Sequence, residues 1–139
     1  MRRQKLKTRP PLALVPPPVK ERTSRMHLPP GARASDRFCW AAQSDSTFIG
    51  AGIFIGDLLC VLITDDIRSG DLVSADDVGE YFFARFYPAP GGWVRLEFMD
   101  GHSPAMIYRP GEVAIQGRVV RVERDGEIVK TALTFRPVR

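Results

Sequence analysis

Cysteine and histidine are scarce in this chain of 139 residues, and that scarcity excludes several kinds of site. Cys39 and Cys60 each lie within an apolar run, which favours buried free thiols over a disulfide. His27 and His102 lie far apart, and no cysteine or histidine spacing matches a set of metal ligands. The sequence therefore predicts no metal and no cofactor.

Long apolar runs are also missing. The apolar patch near the N-terminus, residues 12–15 (Leu-Ala-Leu-Val), is interrupted by prolines on both sides. It is too short for the apolar region of a signal peptide and far too short to cross a bilayer. We therefore expect a cytoplasmic protein with no membrane contact.

Positive charge is concentrated at the N-terminal end. Residues 1–25 contain eight Lys and Arg side chains and one acidic side chain, whereas the whole chain carries +4, so the remainder is slightly acidic. That remainder lacks the basic surface typical of nucleic-acid binding. Seven of the twelve prolines fall in residues 1–30. Residues 1–34 are therefore predicted to form a flexible, basic, Pro-rich arm, with no room for a helix-turn-helix.

Helical periodicity is absent from the rest of the chain, and short apolar runs alternate with turn residues such as Gly, Pro, Asp and Ser. Residues 35–139 are therefore predicted to form a mostly β domain with one short helical turn. A hairpin is expected around Asp125-Gly126. The predicted strands lie within residues 37–42, 57–64, 71–75, 80–87, 92–98, 113–124 and 127–135.

The predicted strand at residues 80–87 contains an unexpected small residue. Side chains alternate between the two faces of a strand, so Glu80, Phe82, Ala84 and Phe86 share one face. Alanine is a poor strand former, and it lies here between two large aromatic side chains. A different side chain would be expected at this position.

Five segments resemble, in order, the catalytic domain of the LexA and UmuD proteins, which are self-cleaving serine–lysine peptidases of the bacterial DNA-damage response. The most specific is SDSTFIGAGIFIGDLLCV, where Asp-Ser precedes Gly-Ile-x-x-Gly-Asp. The others are DDIRSGDLVSA, EYFFARF, WVRLEFMDGHSPAMI and VAIQGRVVRVERDG. The resemblance covers about Asp36 to Gly126 and implies a LexA-type peptidase domain of short curved sheets.

The resemblance places the family's nucleophilic serine on Ser46, with one extra residue between Ser46 and Gly52 compared with the family pattern. It places the family's lysine on Ala84 and the basic residue that follows on Arg85. A lysine between apolar side chains has a lowered pKa and can accept the serine proton, whereas alanine accepts nothing. Arg85 stays protonated, and His102 lies in a turn, so we expect the chain to be inactive as written.

The family cuts itself at an Ala-Gly or Cys-Gly bond in the arm, and the matching place here is Ala13-Leu14. Leucine in place of glycine should fit the cleft poorly. Two explanations remain open for Ala84. The chain is a naturally inactive relative, which the missing glycine favours, or Ala84 is an engineered replacement of lysine, which the intact strand context favours.

The layout, an arm followed by the peptidase domain, is closest to UmuD and predicts no DNA-binding domain. The resemblance implies a homodimer that responds to the RecA filament and serves an error-prone DNA polymerase as an accessory subunit. The alternative is a non-catalytic, dimeric interaction module whose basic arm contacts an acidic partner or, weakly, nucleic acid.

Overall fold

The structure is a computed structural model, and it describes residues 28–139. The predicted arm therefore lies largely outside the described residues, and so do Ala13, Leu14 and His27. Within residues 28–139, the regular structure consists of eight strands and two short 3-10 turns, Ile49–Ala51 and Pro90–Gly92. The strands are β1 (Phe38–Ala42), β2 (Leu58–Ile63), β3 (Leu72–Asp77), β4 (Glu80–Pro88), β5 (Val94–Glu97), β6 (Met106–Tyr108), β7 (Ala114–Arg124) and β8 (Glu127–Ile128).

All eight strands belong to one antiparallel sheet, which confirms the mostly β fold. Its order is β1-β2-β7-β3-β4-β5-β6, and β8 pairs with the end of β7. The long β7 is thus the central strand, paired with β2 on one side and β3 on the other. The register shifts between Cys60 and Val61 and between Ser74 and Ala75, and such bulges bend a sheet locally.

Two clusters of buried apolar side chains form the core, and β4 contributes to both. Phe83 lies in the first cluster, together with Phe48, Ala51, Leu59 and other residues of the β1, β2 and β7 region. Phe82 and Ala84 lie in the second, together with Leu96, Met106 and Tyr108. The alternation predicted for β4 is therefore confirmed.

The strand prediction needs correction at two places, one strand that was missed and one that was predicted too long. Met106–Tyr108 was not predicted, although it forms the sheet edge beside β5. The strand predicted at residues 127–135 is wrong beyond Ile128, because the backbone there bonds to a loop and to a side chain. The Ala132 amide donates to the Ala51 carbonyl at 2.8 Å, and the Leu133 amide donates to the Thr131 hydroxyl at 3.1 Å. Just beyond this range, the buried Arg118 guanidinium donates hydrogen bonds to the carbonyl oxygens of Arg136 and Pro137, both at 3.0 Å.

Smaller expectations can also be compared with the structure. The hairpin at Asp125-Gly126 is confirmed, with left-handed φ values of 55° and 81° that suit a type I′ turn. Cys39, which is half-buried, and Cys60, which is buried, are both free. Burial raises the pKa of the Cys60 thiol to about 12, so this thiol stays protonated and unreactive. No helix within residues 28–139 has the length and apolarity needed to cross a membrane.

Candidate functional site

The candidate site lies on the loop between β1 and β2, and backbone hydrogen bonds close the base of that loop. The Gln43 amide donates to the Asp57 carbonyl at 2.8 Å, and the Gly56 amide donates to the Gln43 carbonyl at 2.9 Å. The loop therefore leaves and re-enters the sheet at adjacent points. Its inner part is the 3-10 turn Ile49–Ala51, ended by Gly52 in the left-handed conformation with φ 86°.

An ion pair fixes the far end of this loop to the central strand. The Arg124 guanidinium, at the end of β7, donates to both carboxylate oxygens of Asp57 at 2.7 Å and to the Gly52 carbonyl at 3.0 Å. Asp57 is buried and also accepts the Phe54 amide at 2.8 Å. The Arg124 hydrogen bonds lower the Asp57 pKa against the opposing effect of burial. The Gly-Asp of the sequence motif is therefore a structural anchor for the loop.

The two hydroxyl residues of the loop have different surroundings. The side chain of Ser46 is exposed, whereas Thr47 is 8% exposed. The Thr47 hydroxyl donates to the Asp45 carboxylate at 2.6 Å, and the same carboxylate oxygen accepts the Thr47 amide at 3.1 Å. The Gln43 side-chain amide lies within 3.5 Å of the Thr47 hydroxyl and 3.4 Å of Asp45. Thr47 thus has a fixed hydroxyl orientation.

Met99, just beyond β5, fixes the position of the hydroxyl turn. The Met99 amide donates to the Thr47 carbonyl at 2.8 Å, and the Gly50 amide donates to the Met99 carbonyl at 2.7 Å. A Cβ on Gly50 would lie 2.3 Å from that carbonyl oxygen, so only glycine permits this approach. The turn that carries Ser46 and Thr47 is therefore bonded to the segment that follows β5.

Phe98 connects this turn to the strand that carries Ala84. Its ring lies 6.1 Å from the ring of Phe48 and 6.1 Å from that of Phe82. The β4–β5 register pairs Arg85 with Glu97, so one more step of that register would place Phe98 opposite Ala84. Ala84 is completely buried, and Phe98 packs against its cluster. The loop and the Ala84 region therefore belong to one neighbourhood.

The described residues give no support to a histidine as the proton acceptor in place of the family's lysine. His102 lies in the exposed loop after β5, with its side chain 80% exposed and its Nε2 3.7 Å from a carboxylate oxygen of Asp100. Asp100 is largely buried, which opposes its ionisation, yet hydrogen bonds from Ser103 and the His102 amide lower its pKa to about 2. This carboxylate stabilises its own turn. Within residues 28–139, no group of three or more metal-ligating side chains occurs.

Thr47 is the residue that the sequence analysis did not single out. The sequence did contain a signal for Thr47. The spacing from Ser46 to Gly52 is one residue longer than in the family pattern, whereas the spacing from Thr47 to Gly52 matches that pattern. Ser46 lies on the β1–β2 loop and Ala84 lies in the middle of β4, in agreement with the strands predicted around them. The cleavage-site residues Ala13 and Leu14 lie outside the described residues.

A mostly antiparallel β domain with a hydroxyl-bearing turn on the loop after its first strand is consistent with a LexA/UmuD-like peptidase domain. The family model described as Peptidase S24-like matches residues 17–120, which is well over half of the chain. The chain belongs to the S24-like peptidase family.

Curated relatives agree with this membership. The chain is 31% identical to the LexA repressor of Novosphingobium aromaticivorans over 110 residues, which cover 79% of this chain and 47% of that repressor. It is 32% identical over 89 residues to the LexA repressor of Erythrobacter litoralis, covering 64% and 38%. It is 28% identical over 104 residues to that of Zymomonas mobilis, covering 75% and 48%. The chain thus spans about half or less of the length of these repressors.

Proposed function

We propose that this chain is a UmuD-like protein of the bacterial DNA-damage response whose self-cleavage is impaired because alanine occupies the position of the catalytic lysine. Membership of the S24-like family supports the peptidase ancestry. The observation that carries the proposal is the complete burial of Ala84 within an apolar cluster on β4. A methyl group at this position supplies no base for a hydroxyl nucleophile.

The surroundings of Ala84 are those that a catalytic lysine requires. Phe82, Leu96 and Met106 belong to the same buried cluster, and an amine placed among them would lose hydration. Desolvation disfavours the charged ammonium and lowers a lysine pKa, which leaves a neutral amine available to accept a proton. Arg85 cannot replace it, because its guanidinium lies on the other face of β4, 5.6 Å from the centre of the Tyr87 ring.

The proposed setting follows the same resemblance. The chain acts in the cytoplasm as a homodimer and serves an error-prone DNA polymerase as an accessory subunit. Contact with the RecA filament stimulates self-cleavage in the ancestral, active form of the protein. Analytical ultracentrifugation of the purified chain tests the dimer, and a monomer at micromolar concentration would count against it.

The direct test of the peptidase ancestry restores the missing base. Ala84→Lys combined with Leu14→Gly should produce a cut after Ala13, visible as a new fragment on a gel and by intact mass. The rate should rise with pH as the introduced amine deprotonates. Ala84→Met is the matched control, because it adds a similar length of apolar chain without an amine. No fragment from the double variant, even with an activated RecA filament, would contradict the latent peptidase.

A second candidate is a non-catalytic dimeric interaction module, and the absence of a base at Ala84 favours it. On this reading the folded domain dimerises and the basic arm contacts an acidic partner or nucleic acid. Because both readings expect an unchanged mass for the chain as given, the Ala84→Lys, Leu14→Gly variant distinguishes them after prolonged alkaline incubation. Loss of the arm at one bond, seen by mass spectrometry, indicates a latent peptidase, whereas an unchanged mass indicates a module.

A further inference from the structure

We infer that Thr47, and not Ser46, is the hydroxyl that this domain holds in the position of the nucleophile, and that Asp45 is its positioning residue. This inference rests on the proposed function and identifies the residue through which a restored peptidase would act.

Burial and hydrogen bonding separate the two hydroxyls. Thr47 is 8% exposed, and its side-chain oxygen lies between the Asp45 carboxylate at 2.6 Å and the Gln43 amide at 3.5 Å. Ser46 is exposed to solvent. A nucleophile must be held in one orientation, because each freedom that it keeps is an entropic cost at the transition state. Thr47 meets that condition, while a hydroxyl in open solvent does not.

Backbone contacts also place Thr47 toward the strand of Ala84. Its carbonyl accepts the Met99 amide, and Met99 follows Phe98, which packs against the Ala84 cluster. Hydrogen-bonded strands lie about 4.8 Å apart, so a path from Thr47 through the Phe98-Met99 segment to β4 spans on the order of 10 Å. A lysine on β4 bridges much of such a gap with its four-carbon stem. Thr47 is also followed by Phe48, whose buried side chain anchors the backbone next to Thr47.

The hydrogen bond to Asp45 is a second reason for the chain as written not to cleave itself. The Thr47 proton points at a carboxylate, which is a weak base compared with a neutral amine. In the Ala84→Lys variant, the introduced amine takes this proton while Thr47 Oγ1 forms a bond to the carbonyl carbon of Ala13. The peptide C–N bond then breaks, the proton passes to the leaving amine, and water hydrolyses the ester.

The test compares variants in the Ala84→Lys, Leu14→Gly background by intact mass across neutral to alkaline pH. Thr47→Val keeps the side-chain shape but removes the hydroxyl, and it should abolish the cut. Ser46→Ala should keep it. Thr47→Ser should raise the rate several-fold, because the methyl group that crowds the attacking oxygen is gone. Asp45→Asn should change the pH profile of the cut, an effect that a purely structural role would not produce.

A fluorophosphonate probe provides a measurement that does not depend on cleavage or on the folding of Thr47→Val. The nucleophilic oxygen displaces fluoride from phosphorus, its proton passes to the introduced amine, and peptide mass spectrometry locates the adduct. An adduct on Thr47 supports the inference. A cut or an adduct that requires Ser46 overturns the inference and leaves the proposed function standing. If the parent variant gives no cut and no adduct, the inference and the proposed function are both overturned.

Discussion

Gly50 shows how closely two backbones approach at the candidate site. An added Cβ would lie 2.3 Å from the Met99 carbonyl oxygen, a contact that real Cβ atoms do not make. Since backbone supplies both sides of this contact, neither side can move without breaking the Gly50–Met99 hydrogen bond of 2.7 Å. The glycine therefore fixes the distance between the hydroxyl turn and the segment after β5.

Gly50→Ala should therefore destabilise the domain by about 2–4 kcal/mol, the range of overpacking combined with a lost hydrogen bond. Gly101→Ala is the matched control, because Gly101 has a left-handed φ of 87° but open space around it. It should cost about 1 kcal/mol, the usual penalty for a left-handed alanine. Urea denaturation measures both, and equal losses would show that the 46–50 turn is free to move away from Met99.

Asp57 gives the loop a pH-dependent stability. Its hydrogen bonds from Arg124 hold its pKa in the folded state below the ordinary 3.8. A carboxylate with a lowered folded pKa stabilises the fold above its unfolded pKa, and the stabilisation disappears as pH falls through the folded value. The contribution of this pair should therefore be complete at neutral pH and lost in acid, as pH falls below 3.8 and through the lower folded pKa.

Asp57→Asn should lower the free energy of unfolding by about 2 kcal/mol at pH 7, as expected for a charge-assisted hydrogen bond with a buried partner. The difference from the parent chain should shrink as pH is lowered below 3.8. Asp65→Asn, on an exposed loop, should have no measurable effect. Urea titrations at several pH values provide the comparison, and a pH-independent loss in Asp57→Asn would show that the ion pair is not formed.

At the scale of elements, side-chain alternation was sufficient to predict most strands. β2, β4 and β7 are long enough for their apolar pattern to stand out, and β4 sorts its side chains onto two clusters as predicted. β6 has only three residues, too few for an alternating pattern to be recognised. Residues 129–135 carry a strand-like pattern, but the Ala132 amide bonds to the Ala51 carbonyl of the β1–β2 loop, and Arg118 binds the carbonyls of Arg136 and Pro137 just beyond. Sequence periodicity contains no information about such a long-range partner.

Arg118 should therefore control the C-terminal segment. Arg118→Met keeps the apolar stem but removes the donors to Arg136 and Pro137, and it should destabilise the domain by about 1–3 kcal/mol. The amide of Ala132, which donates to the Ala51 carbonyl at 2.8 Å, should exchange with solvent faster as the segment loosens. Arg109→Met, at an exposed position, should change neither quantity. Unchanged exchange at Ala132 in Arg118→Met would mean that apolar packing alone holds the segment.

The candidate site was only partly predictable from sequence, for a physical reason. The position of Ala84 in the strand follows from alternation alone, because β4 is regular. The choice between Ser46 and Thr47 does not, since it depends on where Met99 bonds the loop, and Met99 lies more than fifty residues away in sequence. A hydrogen bond across that separation is a property of the folded chain. The motif therefore identified the loop but not the orientation of its hydroxyls.

At the scale of the whole molecule, charge is divided between residues 1–25 and the rest of the chain. Residues 1–25 carry eight basic side chains, whereas the remainder carries about three net negative charges. Binding of the predicted arm to nucleic acid would be electrostatic, because a net acidic remainder repels phosphates. Its strength should therefore depend on salt and on the number of phosphates that these eight side chains reach.

We expect weak, sequence-indifferent binding to single-stranded DNA at low salt, measured by fluorescence anisotropy. At most eight phosphates are neutralised, so the slope of log affinity against log salt should not exceed about −6 for a single strand. A chain without residues 1–25 should lose binding completely. A full-length control with the eight basic residues replaced by Gln should lose it as well, which separates charge from length. Binding that persists in both variants, with little salt dependence and a preference for one sequence, would place the contact on the acidic domain and contradict the division of charge.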